Sequence, residues 1–161
     1  MSTQKVSDDS FKQAMACFPS GVTIVTTVDD KGQKGGFTAS AFSSLSLTPP
    51  LIIVCLANNA DCFDYFNNQN NFAVNIIGPD HEALAYTFAT KGSDKFAGNE
   101  FEKGSLGLPV LTDCPVSLEC KTENIYSGGD HIILVGQVEF LNVNGGRPTL
   151  WHEGKFHHLN D

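Results

Sequence analysis

Hydrophobic residues recur along this chain at helical spacing in a few places and at strand spacing in most others. The first helical pattern begins where Ser7 or Asp8 can cap a helix. Its apolar positions follow the i, i+3, i+4, i+7 rule: Phe11, Ala14, Met15 and Phe18. Residues 79–90 predict a second full helix, with a proline near its start, and residues 61–66 predict a shorter one.

Strand patterns account for most of the rest. Residues 22–28 are rich in β-branched side chains and run through an Asp-Asp-Lys-Gly turn into a second strand, which predicts a hairpin. Residues 51–57 are apolar throughout, as in a central strand. Four more strands are predicted, the last three as a meander: 72–77, 116–126, 132–143 and 148–151. Strands and helices do not alternate regularly, so we expect one mainly β domain, a β-barrel with two or three helices outside it.

A stretch without any charge carries six hydroxyl side chains in eleven positions: Thr38, Ser40, Ser43, Ser44, Ser46 and Thr48. Leu45 and Leu47 alternate with the last three hydroxyls, which predicts that the leucines face the core. The alternation breaks at Phe42-Ser43, where we expect a bend that turns side chains and backbone N–H groups toward a ligand. The stretch fits either a cradle for a polar ligand or a solvated sheet face.

Charge and length exclude several classes of protein. The 161 residues carry a formal net charge of −8, which argues against a nucleic-acid partner or an anionic membrane surface. The longest apolar run, residues 51–57, is too short to span a bilayer, and the first residues contain no apolar signal segment. We therefore expect a cytoplasmic protein.

The familiar catalytic motifs are missing from the sequence. Neither a Rossmann nor a P-loop glycine motif occurs, nor HExxH, nor GxSxG, and no metal site is expected. The five cysteines form no CxxC pair and are expected to be free thiols. Two features remain. His131 follows a glycine turn, directly before a predicted strand, where it could bind a ligand or be solvated. Residues 151–156 combine aromatic rings with Lys155, which suits a nucleotide or simply closes a strand.

Seven stretches, in register over about residues 8–159, resemble the short-chain flavin reductases, the small components of two-component flavin-dependent monooxygenases. They are FKQAMACFPSGVTIVTT, GFTASAFSSLSLTPPLIIV, FAVNII, FAT followed by DKFAG, LPVL, GGDHIILVGQV and LWHEGKFHHL. The resemblance implies an FMN-binding split β-barrel that forms a homodimer, with FMN or FAD near the subunit interface. It also implies NADH, or NADPH, as the reductant.

The same resemblance implies a set of site residues. Contacts with the flavin ring edge fall to Thr38, Ala39 and Ser40, and contacts with the ribityl chain and phosphate to Ser43, Ser44 and Ser46. Further flavin contacts fall to Ala57, Asn58, Phe88 and Lys95, with Lys95 as the expected phosphate cation. The nicotinamide side is assigned to Pro19, Ser20, His131, Trp151 and Lys155. Arg147 or Lys155 could engage a 2′-phosphate, so the choice between NADH and NADPH stays open.

The function implied is that of an NAD(P)H:flavin oxidoreductase, which supplies reduced flavin to an oxygenase that hydroxylates a small, aromatic substrate. Hydride transfer between two cofactors asks the protein to position them and needs neither nucleophile nor metal. An uncharged cradle also suits a flavin that must leave again. The alternatives are a non-enzymatic FMN-binding electron carrier or storage protein, and a split barrel of the pyridoxamine-phosphate-oxidase or haem-binding kind.

Overall fold

Strands dominate residues 5–67, 70–98 and 100–159, which are the residues that the structure, a computed structural model, describes. The helices are α1 (Asp8–Ala16), α2 (Phe63–Asn67) and α3 (Glu82–Ala89), the last preceded by a 3₁₀ turn at Pro79–His81. The first six strands are β1 (Ser20–Gly21), β2 (Thr23–Val28), β3 (Lys34–Ala39), β4 (Phe42–Ser46), β5 (Leu51–Ala57) and β6 (Asn71–Ile76). The others are β7 (Phe101–Lys103), β8 (Pro109–Leu111), β9 (Val116–Gly128), β10 (His131–Val143), β11 (Thr149–His152) and β12 (Lys155–His158).

A seven-stranded antiparallel sheet in the order β3-β2-β6-β9-β10-β5-β4 forms the body of the molecule. Its two edge strands, β3 and β4, are consecutive in the chain, and only Ser40 and Ala41 separate them. Because two residues span only a few ångströms, the two edges of the sheet must meet. The sheet is therefore rolled into a split β-barrel, and the prediction of a mainly β barrel with two or three outer helices is confirmed.

The core fills the rolled sheet and the space under α3. On β5 the side chains of Ile52, Val54 and Leu56 are buried, while those between them are half-buried, as expected for a strand with a neighbour on each side. Burial of these side chains is the main favourable term for closing the barrel. A second cluster packs α3 against β2 through Ile24, Ala85 and Phe88.

The helix predictions hold, with small shifts of their ends. α1 begins after Ser7, whose side chain accepts a hydrogen bond from the backbone N–H of Ser10, while the Ser10 hydroxyl oxygen accepts one from the backbone N–H of Ser7. None of its residues is buried, so the apolar face of α1 points away from the rest of this chain. α3 buries Phe88.

The predicted direction of the leucines in the hydroxyl-rich stretch is wrong for the single chain. Leu45 is 53% exposed and Leu47 89% exposed, so neither reaches the core. The bend lies at Ser40-Ala41, before the predicted position, because the chain there crosses from one edge of the sheet to the other. A register shift between Ser44 and Ser46 then leaves Leu45 as an extra residue in β4.

The predicted three-strand meander is also wrong. β9 and β10 form a long hairpin, but β5 already occupies the other edge of β10. The last segment therefore pairs elsewhere: β11 lies between β1 and β12 in a separate three-stranded sheet. The Thr149 N–H donates to Ile77 O at 2.9 Å, which fixes this small sheet against the barrel.

The long connection over residues 91–109 contains β7, which pairs with β8 in a two-stranded ribbon. Within the described residues, no helix is both long and apolar enough to cross a membrane. The cytoplasmic location stays a prediction.

Candidate functional site

A cavity of about 310 Å³ opens where β3, β5 and the start of β10 meet under the end of α3. Seven of the predicted site residues line it: Thr38, Ala39, Ser40, Ala57, Phe88, Lys95 and His131. They come from four separate parts of the sequence. In the antiparallel pair of β5 and β10, His131 lies opposite Ala57. The end of β5 and the start of β10 are therefore side by side.

The two hydroxyls at the end of β3 differ in what they can still bind. Thr38 Oγ1 donates to Ala85 O at 2.6 Å, which ties β3 to α3 and leaves the hydroxyl only as an acceptor. Ser40 is exposed, and no group in the described part of the chain hydrogen-bonds its hydroxyl. Ser40 therefore keeps both its donor and its acceptor capacity for a ligand.

A partly buried ion pair forms one wall of the cavity. Lys95 Nζ lies 2.7 Å from Asp61 Oδ1 and donates to Gly36 O at 3.1 Å, and its side chain is only 10% exposed. Burial by itself would raise the pKa of the Asp61 carboxyl. Hydrogen bonds from Lys95 and from the Gly92 N–H outweigh that effect and hold the pKa of Asp61 below its ordinary value. Both groups are therefore charged, and each neutralises the other.

His131 stands at the mouth of the cavity with a defined hydrogen bond. Its Nδ1 lies 2.7 Å from Asp130 Oδ1, and this bond holds the pKa of the Asp130 carboxyl below its usual range. Because a carboxylate only accepts, Nδ1 carries the proton, and Nε2 of the neutral ring is left as an acceptor. The histidine side chain is 43% exposed, so Nε2 is accessible to a ligand.

A second hollow of about 180 Å³ adjoins the cavity, and Thr38, Ser40 and Ala89 belong to the walls of both. The walls of the second hollow are aromatic. Trp151 and Tyr86 each pack edge-on against Phe156, with ring centroids 5.1 and 5.0 Å away. The two compartments adjoin at the end of β3, so flat rings bound in them would meet beside Thr38 and Ser40.

The five residues predicted for the nicotinamide side are not gathered in one place, and one of them lines this second hollow. Trp151 forms part of its wall, and Ser20, next to Pro19, pairs with Trp151 across β1 and β11. Lys155 is exposed at the start of β12 and does not line the hollow. His131 lines the first cavity and not the second hollow.

Four of the residues predicted to contact the flavin do not line the cavity of this chain. Ser43, Ser44 and Ser46 lie on the edge strand β4, where the Ser43 hydroxyl donates to Ser44 O. Asn58 turns its backbone N–H to Asp130 O at 2.9 Å and so supports the turn that carries His131. The binding roles of these four residues stay predictions.

The sequence interpretation missed Asp61 and Lys91 on the first cavity and Tyr86 on the second hollow. Asp61 follows β5 in a polar segment, Ala-Asn-Asn-Ala-Asp. Such a segment indicates the end of a strand, but it does not predict that Asp61 forms an ion pair. Lys91 stands four residues before Lys95 in the same segment, and nothing in the sequence tells which lysine is buried.

A larger concavity, of about 400 Å³, lies elsewhere, between β7, β8 and the far halves of β9 and β10. Its buried carboxylate, Glu119, is already used: the N–H groups of Ser105 and Leu106 donate to it at 2.7 and 2.6 Å. Glu119 thus holds the β7–β8 turn. The described residues include no group of His, Cys, Asp and Glu side chains arranged for a metal ion.

The lining of the first cavity fits a flavin. Phe37, Leu56 and Phe88 give it an apolar floor suited to a flat ring, and Ser40 and Lys91 give it a polar rim. Burial raises the pKa of the nearby Cys62 thiol to about 11, so this side chain is a neutral part of the core.

Comparison with known proteins agrees with this fit. Residues 15–160 match the model of the flavin reductase like domain family. The actinorhodin polyketide dimerase of Streptomyces coelicolor is 43% identical over 90% of this chain and 82% of its own length. The NADH:riboflavin 5′-phosphate oxidoreductase of Streptomyces pristinaespiralis is 39% identical over 94% of this chain and 88% of its own.

Two further proteins extend the comparison. The reductase subunit HsaB of a flavin-dependent monooxygenase from Rhodococcus jostii is 33% identical over 91% of this chain and 75% of its own. Among solved structures, the NADH:FAD oxidoreductase SgcE6 of Streptomyces globisporus C-1027, in complex with NAD and FAD fragments, superposes with a TM-score of 0.90. It is 29% identical, and 98% of each chain is covered. On its sequence, its split barrel and its paired cavities, this chain belongs to the flavin reductase like domain family.

Proposed function

We propose that this protein is an NAD(P)H:flavin oxidoreductase that reduces FMN or FAD and supplies the reduced flavin to a separate oxygenase. The observation that carries the proposal is the pair of compartments that adjoin at Thr38, Ser40 and Ala89, residues that line both. Relatives at 39% and 33% identity are named as an NADH:riboflavin 5′-phosphate oxidoreductase and as a monooxygenase reductase subunit, which supports both halves of the proposal.

The residues of the chain contribute position and environment. The bound flavin supplies the group that accepts a hydride, and hydride transfer requires the donor ring to lie against it. Phe37, Leu56 and Phe88 exclude water from one side of the first compartment, and Trp151 and Phe156 do so in the second. Holding two rings in contact converts an encounter in solution into a step within one complex.

His131 has a definite task in this scheme. With Nδ1 held by Asp130, its Nε2 presents an acceptor at the mouth of the site. An acceptor at that point can bind the amide N–H₂ group of a nicotinamide, and so orient the ring that donates the hydride. Ser40, whose hydroxyl is free among the described residues, is the side chain best able to bind the polar edge of the flavin.

Steady-state assays test this function. The purified protein is mixed with NADH or NADPH and with free FMN or FAD, and oxidation of the nicotinamide is followed by absorbance. We expect catalytic turnover that increases with added free flavin after dialysis. If the protein instead retains its flavin through dialysis, and added flavin does not change the rate of nicotinamide oxidation, it is an electron carrier or a storage protein. Absence of turnover with every pair would overturn the proposal.

We further propose that the chain acts as a homodimer. Large apolar side chains are exposed on α1, on β4 and its following loop, and on the end of β10; they include Phe11, Phe18, Leu47, Leu141 and Val143. Such surfaces are costly to leave in water and are usual at permanent interfaces. The identity of the oxygenase and its aromatic substrate are predictions from the resemblance alone.

A further inference from the structure

We propose that Lys91, and not Lys95, is the side chain that recognises the phosphate group of the flavin, an inference that rests on the proposed function. Both lysines line the first cavity, and they stand four residues apart between α3 and β7. The structure separates them by burial and by partner. One is a fixed part of the wall, and the other is a cation without a partner among the described residues.

The charge of Lys95 is already neutralised. Its ammonium group lies 2.7 Å from Asp61 Oδ1, and a second N–H group donates to Gly36 O. A phosphate brought to Lys95 would stand beside the Asp61 carboxylate, and the repulsion between these two anions would offset the attraction of the lysine. Removing Lys95 from Asp61 would leave a partly buried carboxylate unpaired.

The same carboxylate positions Lys91. Asp61 uses its second oxygen, Oδ2, to accept the N–H of Gly92 at 2.9 Å, so the turn after Thr90 is held against the cavity wall. Gly92 has φ of +73°, a left-handed conformation that glycine adopts without strain. The ion pair and the turn together place Lys91 on the rim while its charge remains available.

Lys91 has the properties that an exchanging anionic ligand requires. It is exposed, it lines the cavity, and no described residue pairs with it. In a chain of net charge −8, a phosphate group needs a local cation to enter. An exposed ammonium group supplies one contact that water can readily replace, so the ligand can also leave.

The test compares FMN with riboflavin, which has the same ring and ribityl chain but no phosphate. Dissociation constants for both are measured by quenching of flavin fluorescence, without any nicotinamide present. In the unaltered protein we expect FMN to bind more tightly than riboflavin. In Lys91→Gln we expect FMN affinity to fall roughly tenfold, the effect of losing about 1.4 kcal/mol, with riboflavin affinity changed less than about twofold.

Lys121→Gln is the matched control, since it removes the same charge from an exposed side chain of β9 that does not line the cavity. We expect it to leave both affinities unchanged. Loss of FMN affinity in Lys121→Gln equal to that in Lys91→Gln would mean that overall charge acts, and would overturn the assignment. Raising the salt concentration should weaken FMN binding to the unaltered protein more than to Lys91→Gln.

A double variant, Asp61→Asn with Lys95→Met, tests the other lysine while removing both charges of the pair. We expect it to keep the preference for FMN over riboflavin, whatever its overall affinity. If the double variant loses the preference for FMN over riboflavin while Lys91→Gln keeps it, the phosphate is bound by Lys95. Equal binding of FMN and riboflavin by the unaltered protein would overturn the phosphate site alone, whereas binding of neither flavin, with no turnover, would overturn the proposed function.

Discussion

At the scale of single residues, side chains of the same type do different work because their neighbours differ. The Thr38 hydroxyl donates a hydrogen bond to Ala85 O, whereas the Ser40 hydroxyl, two residues later, has no hydrogen-bond partner among the described residues. Lys95 is paired and buried, whereas Lys91 is exposed. Hydrogen bonds already made inside the protein decide which groups a ligand can still use.

His131 offers the sharpest test of the nicotinamide side. Replacement of His131 by Ala removes the Nε2 acceptor, so we expect kcat/KM for NADH to fall about tenfold, the loss of one hydrogen bond to the substrate. The dissociation constant for FMN, measured by fluorescence quenching, should change less than about twofold. An equal loss in both measurements would place His131 on the flavin and contradict its assignment.

Asp61 should make stability depend on acidity. Because the folded-state pKa of Asp61 is lowered, its contribution is present at neutral pH and is lost as the pH falls below about 4 and the carboxyl takes up a proton. We expect Asp61→Asn to be less stable than the unaltered protein at pH 7, by roughly 1 kcal/mol, since solvent screens a carboxylate whose side chain is 35% exposed.

Denaturant titration at several pH values measures this effect. The difference in the free energy of unfolding between the two proteins should shrink as the pH is lowered from 6 to 3. Asp30→Asn, in the exposed turn after β2, removes the same charge outside the ion pair and serves as the control. A difference that stays constant across this range would show that Asp61 is not charged in the folded protein.

At the scale of elements, the contact between β3 and α3 shapes the cavity. Thr38 bonds to the carbonyl of Ala85, and the ring of Phe88 packs directly on the backbone of Gly36. A Cβ atom at Gly36 would lie 2.5 Å from Cε1 of Phe88, closer than real contacts allow. Glycine is therefore required at Gly36 by close approach, and α3 lies where it does because that side chain is absent.

Gly36→Ala is expected to destabilise the protein by about 1 to 3 kcal/mol, because the Phe88 ring must move into the cavity or push α3 outward. Thermal unfolding measures the loss, and FMN affinity should fall with it. Gly21→Ala is the matched control, since a Cβ atom there meets nothing within 4 Å. A Gly36→Ala protein as stable as the control would mean that α3 is not packed as described.

Element by element, the spacing of apolar residues located the helices and most strands, but it did not tell which strands pair. The hairpin from β2 to β3 was predictable because its turn residues lie between its two strands. The position of β11 was not, because it depends on β5 having occupied the edge of β10. Pairing depends on which edges are still available, and that is a property of the whole sheet.

At the scale of the whole molecule, the exposed leucines of the hydroxyl-rich stretch connect the fold to assembly. Leu45 and Leu47 lie on and just after the edge strand β4, both more than half exposed in the single chain. Their alternation with hydroxyls still has the form of a strand with one apolar face. A second copy of the chain is what we propose covers that face.

The double variant Leu45→Ser with Leu47→Ser tests the homodimer. Light scattering after size-exclusion chromatography should give the unaltered protein twice the 17.4 kDa mass of the chain, and the variant a lower mass. The melting temperature of the variant should also fall, and that of the unaltered protein should rise with protein concentration, because dimerisation stabilises the folded chain. If both proteins have a mass of 17.4 kDa and equal melting temperatures, these leucines are simply solvated.

The sequence by itself determined the class of fold, the helix and strand segments, the family and seven of the residues around the cavity. These properties follow from local spacing, turn residues and motifs, each of which involves only residues that are close together in the sequence. Only the tertiary structure decided that the edges of the sheet meet at Ser40-Ala41, that Asp61 holds Lys95, and that Lys91 stays exposed. The physical reason is that burial and charge pairing depend on residues distant in sequence, and Asp61 and Lys95 are 34 positions apart.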